Sequence, residues 1–201
     1  MSFFKKIFGN SEDATKHEDN LENKSPYNPE VPLPVDEMFI HNFMKNGGKF
    51  IYCLNQEEVN ENFISILEEN DWFEGEALCF EPKLHQLLNV NKISHEEIKN
   101  PNFILCSCEN LIADEGSILF SSNQFKHLKP NELPINMVVF ATASQLVVNK
   151  SDGLRIIKNR YIKEYPSNIT TIKYFEKAKE EDFLNYGSCH KNLYLLLLED
   201  F

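Results

Sequence analysis

The sequence holds no G-x-G-x-x-G turn, no P-loop and no G-x-S-x-G elbow, which removes the commonest dinucleotide, polyphosphate and serine-hydrolase sites. Its five cysteines make no C-x-x-C pair and no four-cysteine run, so neither a zinc site nor an iron–sulfur cluster is expected in this chain. The histidines fall at no metal-ligand spacing either. Positive charge is scarce: 20 Lys and Arg stand against 31 Asp and Glu, a formal charge of -11. A phosphate-backbone partner needs clustered cations, so nucleic acid is not an expected partner. No apolar run nears the roughly 20 residues of a membrane-spanning helix. The opening MSFFKKIFGN has no long apolar stretch and reads neither as a signal peptide nor as a span, and the C-terminal LYLLLL is too short. An odd cysteine set among apolar, strand-like residues reads as buried thiols in a reducing compartment, and the expected location is the cytoplasm.

What is present suits one folded core. Hydrophobic residues make up 42% and charged residues 25% of the 201 positions, close to globular averages. Residues 1–35 depart from this: they are acidic and polar, then proline-rich through SPYNPEVPLPV, with too little apolar surface to order independently. A flexible tail is expected there, and a single domain over 36–201. At its tip FFKKIF sets two lysines between aromatic pairs. That segment reads either as a short amphipathic anchor for a membrane or partner, or as a terminus folded back on the domain.

Beyond the prolines, Asp36 is placed to cap a helix through EMFIHNFMKN that stops at Gly47-Gly48. KFIYCL reads as a strand, QEEVNENFISILEEN as a helix with Val59, Phe63, Ile66 and Leu67 on one face, and EALCF as the next strand. PKLHQLLN gives a short helix opened by its proline. NFILCSC, SILFSS and MVVFAT are apolar strand candidates, SDGLRIIKNRYIKEY a helix capped by its serine, and NITTIKYF and LYLLLL the last strands. Uninterrupted apolar strands alternating with helices predict an α/β fold with a mainly parallel central sheet and helices on both faces.

Four segments carry candidate chemistry. ENLIADEGSILFSS sets Glu109, Asp114 and Glu115 at or beside a glycine turn between apolar strands, and strand ends are where α/β folds place ligands. Glu115, followed by Gly116 and Ser117, could present a carboxylate beside exposed N–H groups, or could simply face water in a turn. Cys106 and Cys108 project from one face of a strand, as a thiol pair or as ordinary buried thiols. Cys189-His190 pairs a thiol with an imidazole in sequence, though neighbours on an extended chain point apart. YPSNITTIKYF offers Ser167, Asn168 and Thr170 for a turn or for contacts with a polar ligand.

Taken in order, ENLIADEGSILFSS, ELPINMVVFATASQLVV, the helix with YPSNITTI, and YGSCHKNLYLLLLED resemble a LUD domain of the LutC/YkgG type. The likeness runs from about Met38 to the C-terminus and is strongest after Phe103. It implies a NagB/RpiA/CoA-transferase-like architecture and a part in oxidising lactate to pyruvate. Iron–sulfur clusters would then sit in partner subunits, with no cofactor in this chain. The family's alanine-acid-glycine turn falls near Ala113, Glu115 and Gly116. Departures mark a divergent subgroup: SSNQFKHLKP has no glycine, Pro166 to Lys173 has no acid, and His190 is displaced by one position in its turn.

The resulting expectation is an accessory or ligand-binding subunit in lactate utilisation, beside iron–sulfur lactate-oxidising subunits. Gly116, Ser117, Ser121, Ser122, Gln124, Ser167, Asn168 and Thr170 are its candidate binding residues for a small carboxylate or phosphate, with Glu115 as candidate catalytic group. The alternatives are an enzyme acting on an acyl-CoA, sugar phosphate or related acid through Glu115, and a non-catalytic scaffold docking through FFKKIF.

Overall fold

KFIYC, AL, FILCS, NMVVFAT and NLYLLLL lie side by side in the computed structural model, which describes residues 33–96, 98–175 and 190–200. The first elements along the chain are α1 (Val35–Lys45), β1 (Lys49–Cys53), α2 (Gln56–Asn70), β2 (Ala77–Leu78), α3 (Pro82–Val90) and β3 (Phe103–Ser107). Then come β4 (Asn110–Ile112), β5 (Ser117–Ser121), α4 (Ser122–Phe125), β6 (Asn136–Thr142), β7 (Leu146–Val147), α5 (Lys150–Arg160), β8 (Ile169–Ile172) and β9 (Asn192–Leu198).

The larger sheet runs β1-β9-β6-β3-β2 and every pairing in it is parallel. Its middle strands are apolar through most of their length because both faces are covered. Leu105, Val138 and Leu196 face α2 and α3, in one cluster with Phe63, Leu67, Leu84, Leu88 and the Trp72–Phe103 stack. Their strand neighbours Ile104, Cys106, Met137, Val139, Leu195 and Leu197 point the other way and are equally buried. This is the α/β architecture with a mainly parallel central sheet read from the sequence.

A second, four-stranded sheet, β7-β4-β5-β8, departs from that reading. ENLIADEG reads in sequence as a link between strands, but its Asn-Leu-Ile is itself a strand, antiparallel to β5. The hairpin is masked in sequence because the polar Glu109 and Asn110 are buried along with the apolar residues. Ile112, Leu119 and Val147 pack on Ile157 of α5.

Two helix starts also differ from expectation. Pro34, not Asp36, precedes α1, and the Asp36 carboxylate instead accepts the Glu37 N–H at 3.0 Å within the first turn. Asn149, not Ser151, caps α5, accepting the Asp152 N–H at 3.0 Å. The expected tail up to Pro32 with its FFKKIF tip, and Tyr186 to Cys189, lie outside the described residues.

Candidate functional site

Glu109 follows β3 and opens the hairpin, its N–H bonded to the Leu119 carbonyl at 2.8 Å. The side chain is 1% exposed, and a carboxylate so buried needs donors around it. Ser121 Oγ donates to Oε1 at 2.7 Å, and the amides of Asn123 and Gln124 approach the same oxygen at 3.3 Å. Tyr161 OH lies 3.2 Å from both oxygens, and Arg160 Nη1 donates to Oε2 at 3.0 Å. These partners come from the end of β5, the short α4 and the last turn of α5.

The arrangement is held locally. Ser121 caps α4: its N–H donates to Gln124 Oε1 at 2.8 Å while its Oγ accepts the Asn123 N–H at 3.1 Å, a reciprocal capping box. The Arg160 side chain, in contrast, stays 44% exposed. A guanidinium carries five N–H donors in a planar fork, so one edge can be oriented by Glu109 while others face solvent.

Six of the residues singled out from sequence converge here. The Ser122 N–H donates to the Asn168 carbonyl at 2.9 Å, and the Ser167 N–H to Ser122 Oγ at 3.1 Å. Thr170 pairs with Phe120 across the β5–β8 ladder, one step from Ser121, and Gln124 follows in α4. Ser167 and Asn168 are exposed beside Arg160's end of the sheet.

Glu115, Gly116 and Ser117 sit at the opposite end of β5, about 14 Å away at the usual strand rise. There α1 lies over the turn. Asn42 Nδ2 donates to the carbonyls of Ala113 and Asp114 at 2.9 and 3.2 Å, and Asn46 Nδ2 to those of Glu115 and Gly116 at 2.8 and 3.1 Å. Gly116 has φ +59°, and a Cβ on it would come within 2.3 Å of the Asn42 carbonyl carbon. The glycine therefore serves close helix packing. The N–H groups of Asp114 and Gly116 already bond the Val148 and Ala113 carbonyls, and the Glu115 carboxylate accepts from Ser117 Oγ at 3.1 Å.

Sequence reasoning missed Arg160 and Tyr161 and set Glu109 beside the wrong end of the hairpin. No spacing rule links Arg160 to an acid 51 positions earlier; a cation in the last turn of a helix is common for dipole reasons alone.

Cys53, Cys79, Cys106 and Cys108 are free and buried. Burial pushes the thiols of Cys53 and Cys79 up to about 11, and those of Cys106 and Cys108 further still. Such thiols are poor nucleophiles. Among the described residues no group of three His, Cys, Asp or Glu is placed to hold a metal ion, and no helix is long and apolar enough to cross a membrane.

No family model matches the chain, and no curated protein matches it. A solved structure does: a DUF162 family protein from Deinococcus radiodurans aligns with TM-score 0.60, over 84% of this chain and 100% of that one, at 11% identity. The fold is that of a DUF162 family protein. DUF162 is the LUD domain family, so the fold of the DUF162 protein agrees with the LUD part of the resemblance drawn from motif order. At this identity the DUF162 match speaks to architecture, not to chemistry.

Proposed function

We propose that this protein is an accessory, ligand-binding subunit of lactate utilisation of the LutC/YkgG type. In this reading it works in the cytoplasm beside partner subunits that carry the iron–sulfur clusters. Its ligand is a small carboxylate received at the β5–β8 end. The observation that carries the reading is Arg160: half exposed, oriented by a buried carboxylate, with Ser122, Ser167 and Asn168 at the same end of the sheet. A planar guanidinium matches a carboxylate in bidentate fashion, and small hydroxyl and amide groups suit the hydroxyl or keto oxygen of lactate or pyruvate. The DUF162 fold supports the family context.

Two measurements test it together. Titration calorimetry with lactate and pyruvate should give binding that Arg160→Ala weakens at least tenfold. The variant should still fold, because Ser121, Asn123, Gln124 and Tyr161 continue to satisfy Glu109. The tagged chain, drawn from native extract, should bring down iron–sulfur lactate-oxidising subunits. Absence of both binding and co-purification would remove the proposal.

A further inference from the structure

A cleft of about 790 Å³ opens between α2 and α3, far from the Arg160 site in sequence and unused by it. Leu84, Leu87 and Phe140 give it an apolar surface. Phe140 is paired with Ser107 near the carboxyl ends of β6 and β3, the edge of a parallel sheet at which α/β folds bind ligands. Asn91, which follows α3, donates through Nδ2 to Asn60 Oδ1 of α2 at 3.0 Å, a bridge between the two walls.

The polar lining is uneven. Glu57 and Glu61 stand on the α2 wall, and Gln56 and Gln86 bring amides from the two helices. Among the described residues one cation lines the cleft, Lys83, 65% exposed in its side chain. Two of its three donors are engaged, by Ser107 Oγ at 3.2 Å and the Glu81 carboxylate at 3.1 Å. Glu81 is itself pinned by the Ser107 N–H and hydroxyl, both at 2.6 Å, so Lys83 is anchored to the end of β3.

We propose that this cleft binds a nucleoside or nucleoside monophosphate, independently of the Arg160 site. The volume lies in the range of small-ligand sites. A planar base fits the Phe140, Leu84 and Leu87 surface, with its polar edge met by side-chain amides, which both donate and accept. Glu57 and Glu61 are acceptors for the vicinal hydroxyls of a ribose, a role carboxylates fill in nucleotide sites generally. Lys83 then takes a single phosphate. Two carboxylates against one partly neutralised cation, with no glycine-rich loop, oppose a di- or triphosphate.

Calorimetry and thermal shift on the full chain with adenosine, guanosine, cytidine and uridine, their monophosphates and ATP test the assignment. At least one nucleoside should bind, its monophosphate roughly tenfold tighter through the charge-assisted contact, and ATP no tighter than AMP. Lys83→Ala should erase the advantage of the monophosphate and leave the nucleoside unchanged. Gln86→Trp, at an exposed position, should fill the cleft and abolish both without lowering the melting temperature of the free protein. Lactate or pyruvate binding should survive in Gln86→Trp, as Arg160→Ala should leave nucleoside binding intact. No binding by any nucleoside or monophosphate at millimolar concentration, binding unchanged in Gln86→Trp, or ATP preferred over AMP would each overturn the proposal.

Discussion

Glu109 is a single acid whose surroundings decide what it does. A free carboxylate in a turn is cheap, but one at 1% exposure costs several kcal/mol unless donors meet it. Its meeting with Ser121, Gln124, Tyr161 and Arg160 makes it the fixed point of the β5–β8 end. Glu109→Gln turns an amide toward Arg160 and leaves a buried donor without an acceptor. The expected loss is about 2–3 kcal/mol in urea unfolding, larger than for Arg160→Ala. Equal losses for the two variants would show that the acid is not the hub. Gly116 is decided in a similar way by its neighbour. With φ at +59° and the Asn42 backbone within 2.3 Å of where a Cβ would stand, Gly116→Ala must displace α1. A fall in stability of more than about 1 kcal/mol is expected, where an open turn would give less.

Among the elements, α1 and the β4–β5 hairpin depend on one another. Asn42 and Asn46 lie one helical turn apart and serve four carbonyls of the 113–116 turn. The spacing is visible in EMFIHNFMKN, but asparagine on a helix surface announces no partner. Replacing both with Ala should speed amide exchange in Val35–Lys45 and in the 113–116 turn together; faster exchange in α1 alone would separate the two. A second tie is titratable. Glu76, beside β2, accepts the N–H groups of Asn100 and then Lys99 at 2.9 and 3.1 Å, and those bonds hold its carboxyl below the usual range. A depressed folded value means that its contribution is present above the ordinary carboxylate value and is lost as pH falls through the folded one. Glu76→Gln should therefore narrow the difference in unfolding midpoint between pH 6 and pH 3, measured against the parent protein.

For the molecule as a whole, the buried thiols report the integrity of both sheet faces. Cys53 and Cys79 ionise near 11 when folded and near 9 when free, because burial disfavours the thiolate. The unfolded chain then loses protons first as pH rises. Stability should be intact below the free value near 9 and should decline between that value and the folded one. Iodoacetamide should modify Cys53, Cys79, Cys106 and Cys108 only after denaturation, as peptide mapping would read. Modification of any of the four in the native protein would place a gap in the core.

The sequence by itself determined the α/β class, the parallel apolar strands and most helix spans, since these follow from short-range periodicity. FILCS and NLYLLLL could be read because burial on two faces leaves a nearly unbroken apolar run, whereas the capping of α5 by Asn149 rather than Ser151 depended on where the backbone enters the helix. Motif order also carried the likeness to the fold of the solved DUF162 protein. The tertiary structure decided which ends of the strands face which partners. It parted Glu115 from Ser121 by the length of β5, brought Arg160 and Tyr161 to Glu109, and laid α2 beside α3 to form a cleft. The meeting at Glu109 and the α2–α3 cleft each join residues dozens of positions apart in the chain. Such pairings depend on how sheets and helices stack, a geometry with no local period in the chain.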